Sequence, residues 1–434
     1  MIEVLRGLLG LAVLIGIAFL FSTAKRAISW KLVGVGVLIQ IVFGILVTQV
    51  PLVTKGFATL SRGFVTLLSF SQAGAEFLFG NLANPETNAG LGFIFAFQVL
   101  PTVLFCSTVP SGLYYLGILQ KIVIGCAWIM SKGMKLSGAE SLSAAGNIFL
   151  GQTEAPLLVR PFIAGMTRSE LMALMTGGMA TLAGGVLAAY VSFLGGTDPA
   201  QKALFAAHLL TASIMNAPAG LVLAKILVPE TQPGQISTSL EVNKESLGVN
   251  LIDALSNGAA DGLRLALNIG GMLIAFIAII ALVNYLLTDL IGAATGLNEW
   301  VMASTNGTFK GFSLQYLLGQ VFRLFAFVMG VPWEDTLQVG SLLGQKTAIN
   351  EFVAYLDLAA MKEAGTLSAK SIVMATYALA GFSNFSSIAI QIGGIGTMAP
   401  SQQSNLSRLG LLALLGASLA CMMTATIAGV LYTF

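Results

Sequence analysis

The chain has 434 residues, of which 56% are hydrophobic and only 9% are charged, and its net charge at pH 7 is +2. Soluble globular domains carry roughly 25% charged residues, so this composition excludes a protein with a fully water-exposed surface. The sequence has no basic run and no zinc-type spacing of cysteine and histidine, so nothing in it points to a nucleic-acid partner.

The first apolar run covers residues 8–21, and a second run, 32–50, begins just after a basic cluster. Small residues at 22–24 follow the first run, so a cleaved signal peptide is the alternative to a first transmembrane helix. The basic cluster is expected on the cytoplasmic side of the membrane.

Six further apolar runs are long enough to cross roughly 30 Å of hydrocarbon. They lie at 93–118, 171–193, 203–228, 263–287, 372–395 and 409–434. With the first two, they predict an all-α polytopic membrane protein with about eight transmembrane helices.

One segment between these runs is too interrupted to cross as a single helix. Within 141–162, short apolar pieces are separated by Gly146 and Asn147, by the polar stretch 151–154 and by Pro156. Irregular backbone at membrane depth is tolerated only where protein or a water-filled cavity surrounds it. We therefore predict a re-entrant helical hairpin here.

A second segment, 317–355, has the same character. One apolar arm ends at 330–332, and a second, more polar arm runs through 346–352. Each hairpin is followed by an apolar span with a small or polar interruption, at 176–185 and at 381–387. Such paired, interrupted segments indicate a repeat and a transporter site built from broken helices. The alternative is close packing of ordinary helices at glycines.

Two carboxylates, Glu154 and Glu351, fall inside the hairpins, where a charge costs roughly 2.5 to 3.5 kcal/mol and persists mainly for a function. Gln152 and Thr153 precede Glu154, so an amide, a hydroxyl and a carboxylate adjoin each other. These groups are suited to the polar edge of a planar heterocycle. An internal ion pair of Glu154 with Arg160 is the alternative.

Glu351 follows Asn350 and could accept two hydrogen bonds from a vicinal diol such as that of a ribose ring. Asn384 and Ser387 are three residues apart, which places them on one helix face, and they could complete that cradle. An ion pair of Glu351 with Lys346 is the alternative.

Three motifs resemble the concentrative nucleoside transporters: GQTEAPLLVRPF at 151–162, NEFVAY at 350–355 and GFSNFSSIAI at 381–390. The resemblance extends over most of the chain, because SAAGNIFL, AGGVLAAY, LALNIGGMLIAF and IGGIGTMAP occur in the expected order. It implies a homotrimer. Each protomer would have a transport domain with two re-entrant hairpins, arranged as an inverted repeat. This domain would move against a scaffold by an elevator mechanism.

Carried over by position, the resemblance implies a nucleobase site, a ribose site and an apolar wall. The nucleobase residues are Gln152, Thr153, Glu154 and Val186, with Phe382 nearby; the ribose residues are Glu351, Asn384 and Ser387; and Leu265 lines the site. The resemblance also implies a sodium site at Asn147, Leu150, Thr181 and Leu182, where the two leucines would contribute backbone carbonyls.

The resemblance also implies a function and a division of the chain. The chain would be a sodium-driven symporter that imports uridine-like ribonucleosides, with a proton-coupled symporter as the alternative. Residues 1–140 would be mostly scaffold, 141–228 the first half of the transport domain, 229–310 a polar loop and a scaffold span, and 311–434 the second half.

A membrane enzyme and a channel are the alternatives from other function classes. A membrane enzyme is disfavoured, since with one histidine the chain offers no activated nucleophile, and saturable, ion-dependent uptake would distinguish a carrier from a channel. The short N-terminus and the absence of long tails favour a bacterial inner membrane.

Overall fold

A computed structural model describes residues 2–84, 91, 94–232 and 248–432, and the regular secondary structure of these residues is entirely helical. In this part of the chain, seven helical stretches are long and apolar enough to cross a membrane. They are Ile2–Leu20, Trp30–Gln49, Phe95–Tyr115, Arg168–Gly195, Pro199–Leu227, Leu251–Thr295 and Pro400–Leu431. The eighth predicted span, 372–395, is formed by two shorter helices separated by a break.

In the described residues of the N-terminal part there are six α-helices. They are α1 (Ile2–Leu20), α2 (Trp30–Gln49), α3 (Pro51–Phe79), α4 (Phe95–Gln98), α5 (Leu100–Tyr115) and α6 (Ile118–Met134). Helix α1 buries Leu11, Leu14 and Ala18 in the protein core, which supports an integral helix rather than a signal peptide. Helix α3, which begins with Pro51 at its first position, was not predicted because it is largely exposed and less apolar than the spans.

The first half of the repeat runs from 138 to 227. It contains α7 (Gly138–Gly146), a 3-10 turn (Ala155–Val159), α8 (Arg160–Ile163), α9 (Arg168–Ala180), α10 (Gly184–Gly195) and α11 (Pro199–Leu227). Residues 147–154 therefore form the break of the first hairpin, and 181–183 form a second break between α9 and α10. Both were expected from the glycines and polar residues in the sequence.

A connecting region precedes the second half. It contains α12 (Leu251–Asn284), which continues as a π-helix (Tyr285–Gly292), then α13 (Ala293–Thr295), α14 (Leu297–Ser304) and α15 (Leu314–Met329). Helix α12 packs mainly along α5. The predicted polar loop falls largely on 233–247, which lies outside the described residues.

The second half has the same order of elements as the first. It contains α16 (Thr336–Ala348), α17 (Glu351–Glu363), α18 (Ala369–Leu379), α19 (Phe385–Met398) and α20 (Gln403–Leu431). The final helices of the two halves, α11 and α20, each have 29 residues and pack against each other. The repeat predicted from the interrupted segments is therefore present in the element order.

The position of the second hairpin's break differs from the prediction. We expected its arms to meet at 330–332, and α15 and α16 do pack against each other across that turn, where Gly330 has a φ of +100°. The break that corresponds to that of the first hairpin lies instead after α16, at Ile349 and Asn350. Asn350 restarts the chain as α17, because its side-chain oxygen accepts a hydrogen bond from Val353 N at 3.1 Å.

The breaks of the two halves meet in the core of the molecule. Asn216 on α11 donates to the backbone oxygen of Ala380, at the end of α18, over 2.6 Å. Cys421 on α20 donates to the backbone oxygen of Ala180, at the end of α9, over 3.4 Å. The last helix of each half therefore satisfies a carbonyl that the other half's broken helix leaves free.

Candidate functional site

The Glu351 carboxylate is the centre of one group of predicted residues. It begins α17, is only 3% exposed, and accepts hydrogen bonds from Asn384 Nδ2 at 2.8 Å and from the Tyr190 hydroxyl at 3.0 Å. Asn384 caps α19, with its Oδ1 accepting from Ser387 N at 2.9 Å. The residues predicted to hold a ribose are thus brought together at two adjacent helix N-termini.

The first hairpin joins this group through Gln152. Its Nε2 donates to Ser387 Oγ at 3.1 Å, and its Oε1 accepts from Gln391 Nε2 at 3.2 Å. Gln391 Nε2 also donates to the backbone oxygen of Met175 at 3.1 Å. A set of hydrogen bonds therefore connects the first hairpin, α9 and α19, which belong to different halves of the repeat.

The Glu351–Lys346 ion pair that the sequence left open is not formed in the described residues. The Lys346 ammonium is buried and donates to the backbone oxygen of Ala378 at 2.8 Å, near the end of α18. A cation at a helix C-terminus is favourable because of the helix dipole. The polar groups that hold Glu351 are neutral donors, so its oxygens keep capacity for further hydrogen bonds.

A cavity of about 260 Å³ is lined on one side by the first hairpin and α10 and on the other by α5 and α12. Glu154 is exposed to it and accepts from the Thr153 hydroxyl at 3.4 Å, while Leu150 and Leu265 form part of its wall. Glu351, Asn384 and Ser387 are not among the residues lining this cavity. The structure therefore divides the predicted site into a cavity group and a buried group.

Val186 and Phe382 are the two remaining residues predicted to contact substrate. Val186 lies in the first turn of α10, and Phe382 lies in the break between α18 and α19. Both are buried. Both lie next to helix breaks, and neither lines the cavity.

The four predicted sodium residues fit a hard cation. Asn147 is 1% exposed, and neither of its side-chain polar atoms has a partner. Thr181 is equally buried and donates to the backbone oxygen of Gly177 at 2.9 Å, which leaves its own oxygen as an acceptor. Leu150 and Leu182 lie within the two breaks of the first half, where backbone carbonyls are not used by a helix. No cluster of three His, Cys, Asp or Glu side chains that could hold a metal occurs in the described residues, so a cation here would be held by neutral oxygens.

Two residues of the buried group were missed from the sequence. Tyr190 follows Val186 by four positions and Gln391 follows Ser387 by four, so each lies one turn beyond a predicted residue, on the same helix face. Tyr190 also stacks on Tyr355, with ring centroids 4.2 Å apart. The i+4 spacing is the one sequence signal that could have identified them.

Three known protein families together match nearly the whole chain. The family described as "Na+ dependent nucleoside transporter C-terminus" matches residues 208–429, and "Na+ dependent nucleoside transporter N-terminus" matches 9–82. A third family, described as "Nucleoside recognition", matches 96–197.

Individual relatives and solved structures agree with these matches. The chain is 41% identical to the "Uncharacterized transporter YutK" of Bacillus subtilis (strain 168), over 98% of this chain and 99% of the relative. It is 39% identical to "Sodium/nucleoside cotransporter 1" of Rattus norvegicus, over 98% of this chain and 63% of that longer protein.

The solved structure of CNTnw in an inward-facing substrate-bound state has a TM-score of 0.88 and 40% identity, and the match covers 99% of this chain and 100% of CNTnw. A variant of CNTnw in an outward-facing state also has a TM-score of 0.88, with 39% identity, 100% coverage of this chain and 98% of that variant.

Proposed function

The chain belongs to the Na+-dependent nucleoside transporter family, and from that membership we propose that it is a symporter that imports uridine-like ribonucleosides with sodium across a bacterial inner membrane. The family relatives are transporters and not enzymes. The proton-coupled alternative is less well supported, because the candidate ion site has a neutral amide and a hydroxyl as its side-chain ligands rather than a carboxylate.

The observation that carries the proposal is the buried Glu351 carboxylate held by neutral donors. Tyr190 and Asn384 fix its two oxygens, which can still accept hydrogen bonds from the 2′ and 3′ hydroxyls of a ribose. Ser387 adds a hydroxyl beside it. A buried site of this kind rejects solutes without the matching hydroxyls, because its polar groups would then be left unpaired.

The nucleobase would contact the first hairpin. Gln152, Thr153 and Glu154 offer an amide, a hydroxyl and a carboxylate, and the apolar contacts would come from Val186, Leu265 and Phe382. Gln152 already contacts Ser387 of the buried group, which supports a single site shared by base and ribose. The cavity beside Glu154 supports an approach of the solute between the first hairpin and α12.

Sodium would be held by Asn147, Leu150, Thr181 and Leu182, and it would supply the positive charge that couples transport to the membrane potential. Asn147 begins the break that contains Gln152, so fixing its amide would order the base-binding residues. A tenfold sodium gradient gives about 1.4 kcal/mol and 100 mV gives about 2.3 kcal/mol, which together support roughly 500-fold accumulation.

The proposed assembly is a homotrimer in which the two repeats move against α5 and α12. Helix α1 packs on α11, α15 and α20, and Arg6 donates to the backbone oxygen of Val331 at 2.7 Å. Helix α2 also packs on α11 and α20. These contacts support assigning α1 and α2 to the moving part, in place of the scaffold role expected from the sequence for most of 1–140.

Calorimetric binding in the presence of sodium tests the substrate class. We expect uridine to bind at least about tenfold more tightly than uracil, because the free base leaves the Glu351 cradle unpaired. Glu351→Gln should abolish uridine binding, whereas Glu363→Gln, the same change at an exposed position of α17, should not alter it. Equal affinities for uridine and uracil would contradict the ribose assignment.

A further inference from the structure

Gln391 lies behind the residue that would read the nucleobase, and it has no assigned role. We propose that Gln391 is a positioning residue that fixes the orientation of the Gln152 amide and so sets the preference between uridine and cytidine. This inference rests on the proposed function, since it concerns the base-binding side of the same site.

The orientation of Gln391 follows from a group whose chemistry is unambiguous. The backbone oxygen of Met175 can only accept a hydrogen bond, and it lies 3.1 Å from Gln391 Nε2. A rotation of the Gln391 amide by 180° would place two acceptor oxygens against each other. The Gln391 Oε1 is buried and has no hydrogen-bond partner, so no interaction on that side favours the reverse orientation of the amide.

The orientation of Gln152 follows in turn. Because Gln391 presents an N–H group to it at 3.2 Å, the facing atom of Gln152 has to be the acceptor Oε1. Gln152 Nε2 then faces Ser387 Oγ at 3.1 Å. One N–H and one lone pair of the Gln152 amide remain for a ligand, and their order in space is fixed by Gln391.

Close packing prevents these two amides from turning freely. Gln391 is 1% exposed. A Cβ atom placed on Gly178 of α9 would lie 2.6 Å from Gln391 Nε2 and 3.2 Å from Gln152 Cβ. The absence of a side chain at Gly178 therefore leaves just enough room for both glutamines.

The order of donor and acceptor distinguishes the two pyrimidines. Uracil presents the O4 acceptor beside the N3–H donor, whereas cytosine presents the amino donor beside the N3 acceptor. An amide held in one orientation matches one of these edges and opposes the other. The same amide turned by 180° would reverse the preference.

Substitution of Gln391 by glutamate tests this chain of orientations. A glutamate at 391 that donates its proton to the Met175 oxygen presents an acceptor oxygen to Gln152, and so does an ionised glutamate that has lost contact with that oxygen. Gln152 then turns its Nε2 toward position 391, and the Ser387 hydroxyl donates to Oε1. We expect the uridine-to-cytidine affinity ratio of the parent chain to invert in Gln391→Glu, and to move to about one in Gln391→Met, each a change of about tenfold or more.

The control is Gln402→Glu. Gln402 is another buried glutamine, and its Nε2 donates to the backbone oxygens of Ala164 and Met166 at 3.0 and 3.2 Å, away from the site. This variant should lose stability but keep the parent ratio, which excludes a general effect of a buried glutamate.

We would measure the affinities of each purified variant for uridine and cytidine by calorimetry. These affinities distinguish failure of this inference from failure of the proposed function. If Gln391→Glu and Gln391→Met bind both nucleosides more weakly but in the parent ratio, Gln391 is only structural and the inference is wrong. Gln391→Met alone decides the question in the same way if the glutamate variant does not fold. If the parent chain binds neither nucleoside, the proposed function itself fails.

Discussion

Glu351 shows how a carboxylate is kept in a membrane-embedded site without a paired cation. Burial of an ionised carboxylate is costly unless hydrogen bonds replace its hydration. Here the N-terminus of α17 and the donors of Tyr190 and Asn384 supply that replacement. The group is therefore fixed in place, and its oxygens keep capacity to accept further hydrogen bonds.

Removal of the Tyr190 hydroxyl tests this arrangement. In Tyr190→Phe, one oxygen of Glu351 loses a buried partner, which costs about 1 to 3 kcal/mol, so uridine affinity should fall about fivefold to 150-fold. Tyr355→Phe is the matched control, since its hydroxyl donates to the backbone oxygen of Thr376 at 2.8 Å and not to the site. Equal losses of affinity in the two variants, measured calorimetrically, would show that the effect is not specific to Glu351.

At the residue scale, the sequence identified the groups whose polarity is unusual for an apolar run. Glu351, Asn384 and Ser387 were found in this way. Tyr190 and Gln391 were not, because tyrosine and glutamine are common at helix contacts and their partners lie 161 and 239 positions away in the chain. Their i+4 spacing from Val186 and Ser387 places them on the right helix faces, but a single sequence does not show which distant residues they contact.

At the scale of elements, the site depends on helix breaks whose free carbonyls are satisfied by the opposite half. Asn216 lies within α11, a continuous helix that also contains Pro218, and its side chain donates to the Ala380 oxygen. Each half therefore stabilises the other half's break, and the two repeats are expected to unfold together.

Substitution of Asn216 by alanine tests this dependence. The Ala380 oxygen would keep only the weaker Cys421 Sγ contact at 3.7 Å, so we expect a loss of about 1 to 3 kcal/mol in stability. Asn405→Ala is the control, since it removes a hydrogen bond of 2.8 Å to Gln402 at the start of α20. An unchanged melting temperature of Asn216→Ala in detergent would argue against a structural role for this bond.

The elements themselves were predictable to different degrees. The break of the first hairpin was located correctly because Gly146, the polar stretch 151–154 and Pro156 interrupt it. The break of the second hairpin was misplaced, because Gly330 and Pro332 give the stronger signal, while Asn350 acts only through its helix cap.

At the scale of the whole molecule, the cavity beside Glu154 lies between two groups of helices that also contact each other. The walls on one side belong to α5 and α12, which pack along each other, and those on the other side belong to the first hairpin and α10. The sequence predicted the number of spans, but it placed most of 1–140 in the scaffold, whereas we propose that α1 and α2 belong to the moving part. That assignment depends on which helices they pack against.

Cross-linking tests which helices move. A Cβ atom at Gly185 of α10 would lie 3.0 Å from Ser107 Oγ of α5, so Ser107→Cys with Gly185→Cys should form a disulfide across the two groups. We expect oxidation to abolish uridine uptake and reduction to restore it, in a background with Cys106 and Cys126 replaced by alanine. Full uptake by the oxidised protein would contradict a movement between α5 and α10.

A second pair provides the control within the group proposed to move. Glu3 on α1 and Lys370 on α18 form an ion pair at 2.6 Å. Cysteines at these two positions, joined by a short thiol-specific linker, should leave uptake intact. Loss of uptake here would mean that α1 does not travel with α18.

The most direct test of the account is the uptake of radiolabelled uridine into proteoliposomes, with and without an inward sodium gradient at fixed pH, by the parent chain and by Glu351→Gln. We predict accumulation that requires the sodium gradient in the parent chain and is lost in the variant. Accumulation driven by a pH gradient without sodium, or equal uptake by the two proteins, would contradict it.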